Sequence, residues 1–240
     1  PEVGTLEVDP EKRGAKFSHN NETAQPHYYS VQFDNGIRTE FAPTDRCVHF
    51  RFSYPKKGDA WLVIDGYTAE SQMEIDAKKH QIRGWVNNQR FVNHAENFRN
   101  YFIIQFDKPF EDYGLWDKGA YLKFKVGAKI QAKAASSYIS PEQAEITLNH
   151  ELGADKTLEQ TRKRGHDVWQ TLLSRIRVEG GTEEQLRTFS SCLFRANLFS
   201  RKFYEIREDG TPYCYSPYDG KIYDGYMFTD NGFWDTFRRS

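Results

Sequence analysis

An antiparallel β-sandwich followed by helices is the fold class this chain predicts, and three observations predict it. Short runs from about Tyr28 to Ile139 alternate apolar and polar residues, a turn signal separates the first two, and at Ser140 the pattern switches to helix caps and 3.6-residue spacing. The clearest run, His49-Phe50-Arg51-Phe52-Ser53-Tyr54, puts Phe50, Phe52 and Tyr54 on one face and His49, Arg51 and Ser53 on the other, the period of a half-buried strand. Similar runs lie at Tyr28–Phe33, Ile37–Phe41, Ala60–Ile64, Ser71–Ile75, Gln81–Val86, Tyr101–Phe106, Ala120–Val126 and Lys129–Ser136. Asp34-Asn35-Gly36 marks the first hairpin, because Asn and Gly tolerate positive φ.

Ser140-Pro141-Glu142-Gln143 supplies an N-cap, a proline at the first helical position and a Gln placed to close a capping box. A second helix is expected over Thr157–Arg177, with Val168, Trp169, Leu172, Leu173 and Ile176 at helical spacing, and Gly180-Gly181 breaks it. Thr182-Glu183-Glu184-Gln185 opens a third, with Leu186, Phe189, Leu193 and Ala196 as its buried stripe. From about Ser200 to Asn231 the chain reads as a long irregular segment, and ordered loops of that length usually serve function. Two amphipathic helices and a loop cannot bury a core alone, so the helical part reads as the beginning of something larger. The expected division is a sandwich over 1–139, a helical linker over 140–199 and the start of a further domain over 200–240.

Composition narrows the function classes. Aromatics make up 15% of the 240 residues against 38% hydrophobic residues, with a mean hydropathy of −0.80, which suits a β-rich, saccharide-handling or extracellular protein. Thirty-three basic and 34 acidic residues give a formal charge of −1 without blocks of like charge, so nothing calls for nucleic acid or an anionic membrane. No apolar stretch approaches the roughly 18 residues of a membrane-spanning helix. Cys47, Cys192 and Cys214 are odd in number and widely spaced, which argues against a zinc site or a disulfide framework. His19, His27, His49, His80, His94, His150 and His166 contain no metal-like pair; His49, on the polar face of its strand, and His166, on a helix, are expected in surface or packing roles. Arg162-Lys163-Arg164 is read as a solvated helix face, and Ser190-Ser191 lie in a helical pattern without a nucleophile elbow.

The densest chemistry lies between Ser216 and Arg238, where aromatics, carboxylates and turn residues crowd together. This reads as one wall of a sugar pocket: a pyranose has an apolar face that stacks on Trp or Phe and a rim of hydroxyls that Asp and Arg can bind. Spacing alone leaves alternatives, since an Asp at a helix start also serves as a cap and a Trp also serves as core.

Several blocks resemble glycoside hydrolase family 92, the exo-acting α-mannosidases. They are Ala24-Gln25-Pro26-His27-Tyr28-Tyr29-Ser30-Val31, Ser137-Tyr138-Ile139-Ser140-Pro141-Glu142-Gln143-Ala144, Cys192-Leu193-Phe194-Arg195, Arg201-Lys202-Phe203-Tyr204-Glu205, Tyr218-Asp219-Gly220-Lys221 and Thr229-Asp230-Asn231-Gly232-Phe233-Trp234-Asp235-Thr236-Phe237-Arg238. The resemblance implies a β-sandwich, a helical linker and the start of an (α/α)6 barrel. It implies calcium-dependent hydrolysis with inversion, α-1,2-linked terminal mannose of a glycan as substrate, and a secreted, periplasmic or cell-surface location. It also implies that the chain starts inside the sandwich and stops at the start of the barrel, with the catalytic acid, the base and most calcium ligands beyond residue 240.

By that resemblance Trp234 shapes or stacks on the sugar ring and Asp235 accepts its hydroxyls. Arg238 either braces Asp235 in a bidentate pair or reaches the sugar itself. Asp219, Asp224 and Asp230 are candidate calcium ligands whose alternative is the Asx turn. The competing functional class is a non-catalytic carbohydrate-binding sandwich with a helical docking tail. If the barrel is absent, the helices after Thr157 expose apolar surface, and the 240-residue chain is expected to self-associate in light scattering; a stable monomer would contradict this.

Overall fold

A computed structural model of the chain describes residues 1–66, 70–87, 95–198 and 200–229. Among these residues, strands β1 (Glu2–Val3), β2 (Phe17–Gln25), β3 (Tyr28–Phe33), β4 (Arg38–Pro43), β5 (Cys47–Ser53) and β6 (Ala60–Asp65) are followed by β7 (Ser71–Asp76), β8 (Gln81–Asn87), β9 (Arg99–Phe106), β10 (Asp112–Trp116), β11 (Gly119–Phe124) and β12 (Lys129–Ser137). Helices α1 (Pro141–Leu152), α2 (Leu158–Leu173) and α3 (Glu183–Ala196) come next. The chain continues through β13 (Arg201–Lys202), β14 (Tyr204–Ile206), β15 (Pro212–Tyr215), β16 (Ile222–Asp224) and β17 (Phe228–Thr229).

The first twelve strands form two antiparallel sheets, one of eight strands in the order β2-β3-β4-β5-β12-β9-β8-β7 and one of four in the order β1-β6-β11-β10. Their facing surfaces make the core: Phe52, Ile82, Phe106 and Ile130 from the large sheet meet Leu62, Leu122 and Phe124 from the small one. Phe106, Phe110 and Phe124 pack with ring centroids 5.4–5.7 Å apart. Burying each such side chain contributes about 1.5–3 kcal/mol, so this layer dominates the hydrophobic stabilisation.

The first hairpin forms as the sequence predicts. Phe33 N–H donates to Ile37 O at 2.9 Å and Gly36 N–H to Phe33 O at 3.0 Å, with Gly36 at φ +88° where a side chain would be strained. All nine expected strands are present within a few residues. Three other sandwich strands escaped the sequence reading, for different reasons. β1 has two residues, β2 (FSHNNETAQ) is a polar, exposed edge strand with a register shift between Phe17 and Glu22, and β10 is a largely exposed edge of the small sheet. Edge strands bury too little to impose an alternation.

On the outer face of the large sheet the packing alternative holds for His49. His49 is not on a solvated face: α2 lies over β4 and β5, and His49 is 1% exposed beneath it. Beside it Arg51 clasps Glu40 in a fork, Nε to Oε2 and Nη2 to Oε1 both at 2.7 Å, while Tyr28 donates its hydroxyl to Oε1 at 2.7 Å. Arg51 also pairs with Glu159 of α2. Within the basic cluster Arg162 stacks on Tyr28, 3.9 Å from the ring centroid, and Arg164 pairs with Asp155 at 2.8 Å. All three side chains remain exposed, as the solvated-face reading expects, with Lys163 in an i,i+4 pair with Asp167.

The helix boundaries follow their caps. Thr157 and Thr182 close capping boxes with Gln160 and Gln185. α2 ends at Leu173, short of the expected Arg177, and Ile176 lies exposed beyond it. The expected stripe on α3 is not buried, since no α3 residue is; Trp169 of α2 against Phe194 at 4.9 Å is its main aromatic contact. Apolar periodicity reports what a helix can bury, and burial also needs a surface to receive it.

Glu40 sets an acid limit on stability. Burial pushes its carboxyl up, but the Arg51 fork and the Tyr28 hydroxyl outweigh this and hold it at about 2 against an ordinary 4.5. The folded state therefore binds this proton less readily than the unfolded chain. The contribution, roughly 3 kcal/mol, is complete above pH 4.5 and is lost as pH falls towards 2. In urea unfolding the stability gap between wild type and Glu40→Gln is expected to narrow through that window; a gap independent of pH would remove Glu40 from this role.

Candidate functional site: the aromatic wall after Ser200

Trp234, Asp235 and Arg238 lie outside the described residues, as does Asp230. The structure does show how the chain reaching them is built. The segment expected to be irregular is organised as a three-stranded sheet, β14-β15-β16, and a two-strand pairing of β13 with β17. Lys202 stands opposite Phe228 and Arg201 opposite Thr229, so β13 holds the last described residues of the chain.

That pairing is tethered to the sandwich. Arg46, just before β5, donates from Nη2 to Lys202 O at 3.1 Å and Tyr204 O at 2.8 Å, and Lys202 pairs with Asp45 at 2.5 Å. Aromatic rings fill the seam: Tyr138 stacks on Phe203 at 4.7 Å and Phe98 on Tyr215 at 5.5 Å. Ala95 N–H donates to Pro217 O at 2.6 Å, and Asn97 Nδ2 donates to Gly220 O at 3.2 Å.

Two buried polar side chains hold the segment from below. Ser140 caps α1 as expected, accepting from Gln143 N–H at 3.1 Å, but the Gln143 side chain does not close the box. Its Nε2 donates to Ile206 O at 2.8 Å and Thr147 Oγ1 at 3.1 Å, and its Oε1 accepts from the Tyr213 hydroxyl at 2.6 Å. Glu205, 2% exposed, accepts from Tyr138 N–H at 2.8 Å through Oε1, while its Oε2 is buried without a hydrogen-bond partner. Burial raises its carboxyl above the ordinary range against the opposing pull of Arg46, 3.9 Å away.

The outer side of the wall is aromatic and open. Tyr218 is 80% exposed, and Tyr223, Tyr226 and Phe228 are exposed beside it. The aspartates here are engaged locally. Asp219 accepts from Lys221 N–H at 3.2 Å and from the Tyr223 hydroxyl at 2.6 Å, the Asx-turn alternative, and Asp224 pairs with Arg207 at 2.5 Å. Among the described residues no three His, Cys, Asp or Glu side chains group so as to hold a metal ion.

Sequence reading missed Arg46, Phe98, Gln143 and Glu205 as organisers of this wall. Glu205 had a signal: a carboxylate inside the apolar run Phe203-Tyr204-Glu205-Ile206 needs a buried partner if that run is a strand. Gln143 had none, since a Gln at that position satisfies the capping-box pattern equally well.

The chain matches the sequence model of the glycosyl hydrolase family 92 N-terminal domain over residues 1–153 and that of the family's catalytic domain over residues 143–240. An inverting mannosidase of family GH92 from Bacteroides thetaiotaomicron VPI-5482 superposes with a TM-score of 0.93 at 42% identity, covering 98% of this chain and 34% of that one. A GH92 α-mannosidase from Bacteroides thetaiotaomicron gives 0.82 at 22% identity, over 99% of this chain and 36% of that one. A further GH92 glycosyl hydrolase gives 0.75 at 22%, over 92% and 34%. The chain thus spans about a third of the length of these solved relatives. No curated protein matches it.

Replacing Gln143 with Leu removes the bonds to Tyr213 and Ile206. We expect amide exchange over residues 204–215 to quicken by a local loss of about 1–3 kcal/mol while β8 and β9 keep their protection. Unchanged exchange there would show that the aromatic seam alone holds the wall.

Proposed function

This chain belongs to glycosyl hydrolase family 92, and we propose that the protein is an exo-acting α-mannosidase that removes terminal mannose from glycans by inversion. The observation that carries this is the 42% identity, over nearly the whole chain, to an inverting mannosidase. The open aromatic wall leading into Thr229 supports it, being suited to the apolar face of a pyranose.

Inversion requires one carboxylic acid to protonate the leaving oxygen and a carboxylate to activate water on the other face of the ring, about 6.5–9.5 Å apart. We assign neither role to a described residue. In this proposal Asp235 accepts hydrogen bonds from hydroxyls of the terminal mannose, Trp234 shapes or stacks on its ring, and Arg238 braces Asp235. The wall after Ser200, clamped by Arg46, Gln143 and Glu205, supports this reading as an ordered approach that ends at Thr229. Calcium dependence, preference for α-1,2 linkages and a secreted or periplasmic location belong to the same proposal. In the same proposal Asp219, Asp224 and Asp230 are candidates to contribute oxygens to the calcium site.

The deciding experiment is release of mannose from α-1,2-, α-1,3- and α-1,6-linked mannobiose by the full-length protein, with and without a calcium chelator. Release abolished by the chelator and restored by calcium is expected; no release from any α-mannoside would favour a carbohydrate-binding sandwich instead. Asp235→Ala is expected to lower kcat/KM at least about a hundredfold, the worth of two hydrogen bonds to a charged group, with the unfolding temperature unchanged. Unaltered kinetics would remove Asp235 from the site.

A further inference from the structure

We propose that α2 is a pH-released strap, seated on the sandwich through two neutral imidazoles, His27 and His49, whose protonation lifts the helix while the sandwich stays folded. The inference is independent of the proposed activity.

The His49 seat is defined by hydrogen bonds. Its Nδ1 lies 2.9 Å from Thr161 Oγ1 of α2, and the Thr161 hydroxyl donates to Asp155 Oδ2 at 2.9 Å. With its own proton committed to Asp155, the Thr161 oxygen accepts, so His49 Nδ1 carries the ring proton and Nε2 is bare. A second proton would create a buried cation. On β12 it would face the Lys133 ammonium and the Gln131 carboxamide, and on the helix side Asp155 and Glu159. Both carboxylates are already engaged, Asp155 with Arg164 and Thr161, Glu159 with Arg51. Burial first, then Lys133, hold His49 at about 4 against an ordinary 6.5.

His27 forms the second seat, in the turn between β2 and β3. It is 8% exposed and meets His166 of α2 edge-on, with ring centroids 5.1 Å apart and planes at 84°. The approach depends on Gly165, where a Cβ would come within 3.1 Å of His27 Cβ. The cleft around the pair, about 270 Å³, is lined by Gln25, Glu159, Arg162 and Lys163 as well. Its carboxylates are also committed: Glu159 to Arg51, and neighbouring Asp167 to Lys163 and His166. A proton on His27 therefore adds a cation beside Arg162, and burial, then His166 and Arg162, lower its pKa.

Beyond these seats α2 is held by Leu158 packed with Tyr28 and Ala42, by the Arg51–Glu159 pair and by Arg162 over Tyr28, and its remaining length is shallowly seated. α2 fully buries only Leu158 and Thr161, both in its first turn, whereas α1 buries Gln143, Ala144, Thr147, Leu148 and Leu152. Once α2 lifts, both imidazoles regain ordinary proton affinity, so the lifted state binds more protons between pH 6.5 and 4 and lifting becomes easier as pH falls. His49 alone changes the opening equilibrium about 30-fold between about pH 7.5 and 5.

Amide exchange on the full chain at those two pH values, corrected for intrinsic rates, tests this. Protection over Leu158–Leu173 is expected to fall about 30-fold or more while β3–β5 and α1 keep theirs, and the double substitution His27→Gln, His49→Gln should abolish the pH dependence. The proposal is overturned if α2 keeps its protection at pH 5, if the sandwich loses protection in step with it, or if the dependence survives in the double variant. Should that variant not fold, NMR titration of labelled imidazoles in the wild type decides: His49 titrating below about 5.5 supports the strap, and at its ordinary value sinks it.

Discussion

The eight-stranded sheet has to bury both of its faces, and the arrangement of the other elements follows from that. One face carries Phe52, Ile82, Phe106 and Ile130 onto the four-stranded sheet. The other carries Cys47, Ile103 and Ala135 onto Ala144, Leu148 and Leu152 of α1. Neighbouring residues such as Ile103 and Ile104 point to opposite sides, so the pleat itself divides the chain between two cores. Without α1 the second set would face water, so the helix after Ser140 is integral to the sandwich.

Covering the second face brings polar residues inside, and each kind is handled differently. Glu40 is held by a bidentate arginine and a tyrosine, enough to keep it ionised. His49 stays neutral, with one nitrogen committed to Thr161. Glu205 retains an oxygen without a hydrogen-bond partner, which burial favours protonating. Paired charge, neutral base and raised acid lie on one side of the sheet, where α1, α2 and the segment after Ser200 meet it. The opposite face of the sheet carries the main apolar cluster.

This asymmetry links fold to function. The wall that leads into Thr229 is carried on short strands whose own burial is small, so its position comes from Arg46, Gln143, Glu205 and the stack of Phe98, Tyr138, Phe203 and Tyr215. Aromatics in the wall serve two ends. Those facing the sandwich are packed, and Tyr218, Tyr226 and Phe228 are left in water. Composition predicts both uses and cannot assign a given ring to either.

Strand periodicity, the Asp34-Asn35-Gly36 turn and the caps at Ser140, Thr157 and Thr182 were legible because each is a local interaction written within a few residues. The chain therefore determined by itself which segments are strands or helices and where most of them start, and its ordered motifs were enough to point to the family. Tertiary structure alone decided what each polar residue does. His49 reads as a surface or a packing residue on its strand, and α2 lying over it decides for packing; Gln143 reads as a cap and holds a segment more than sixty residues on. The reason is physical: secondary structure is set by backbone and nearest-neighbour energies, whereas burial and partnership depend on which distant surface arrives, and sequence spacing carries no record of that distance.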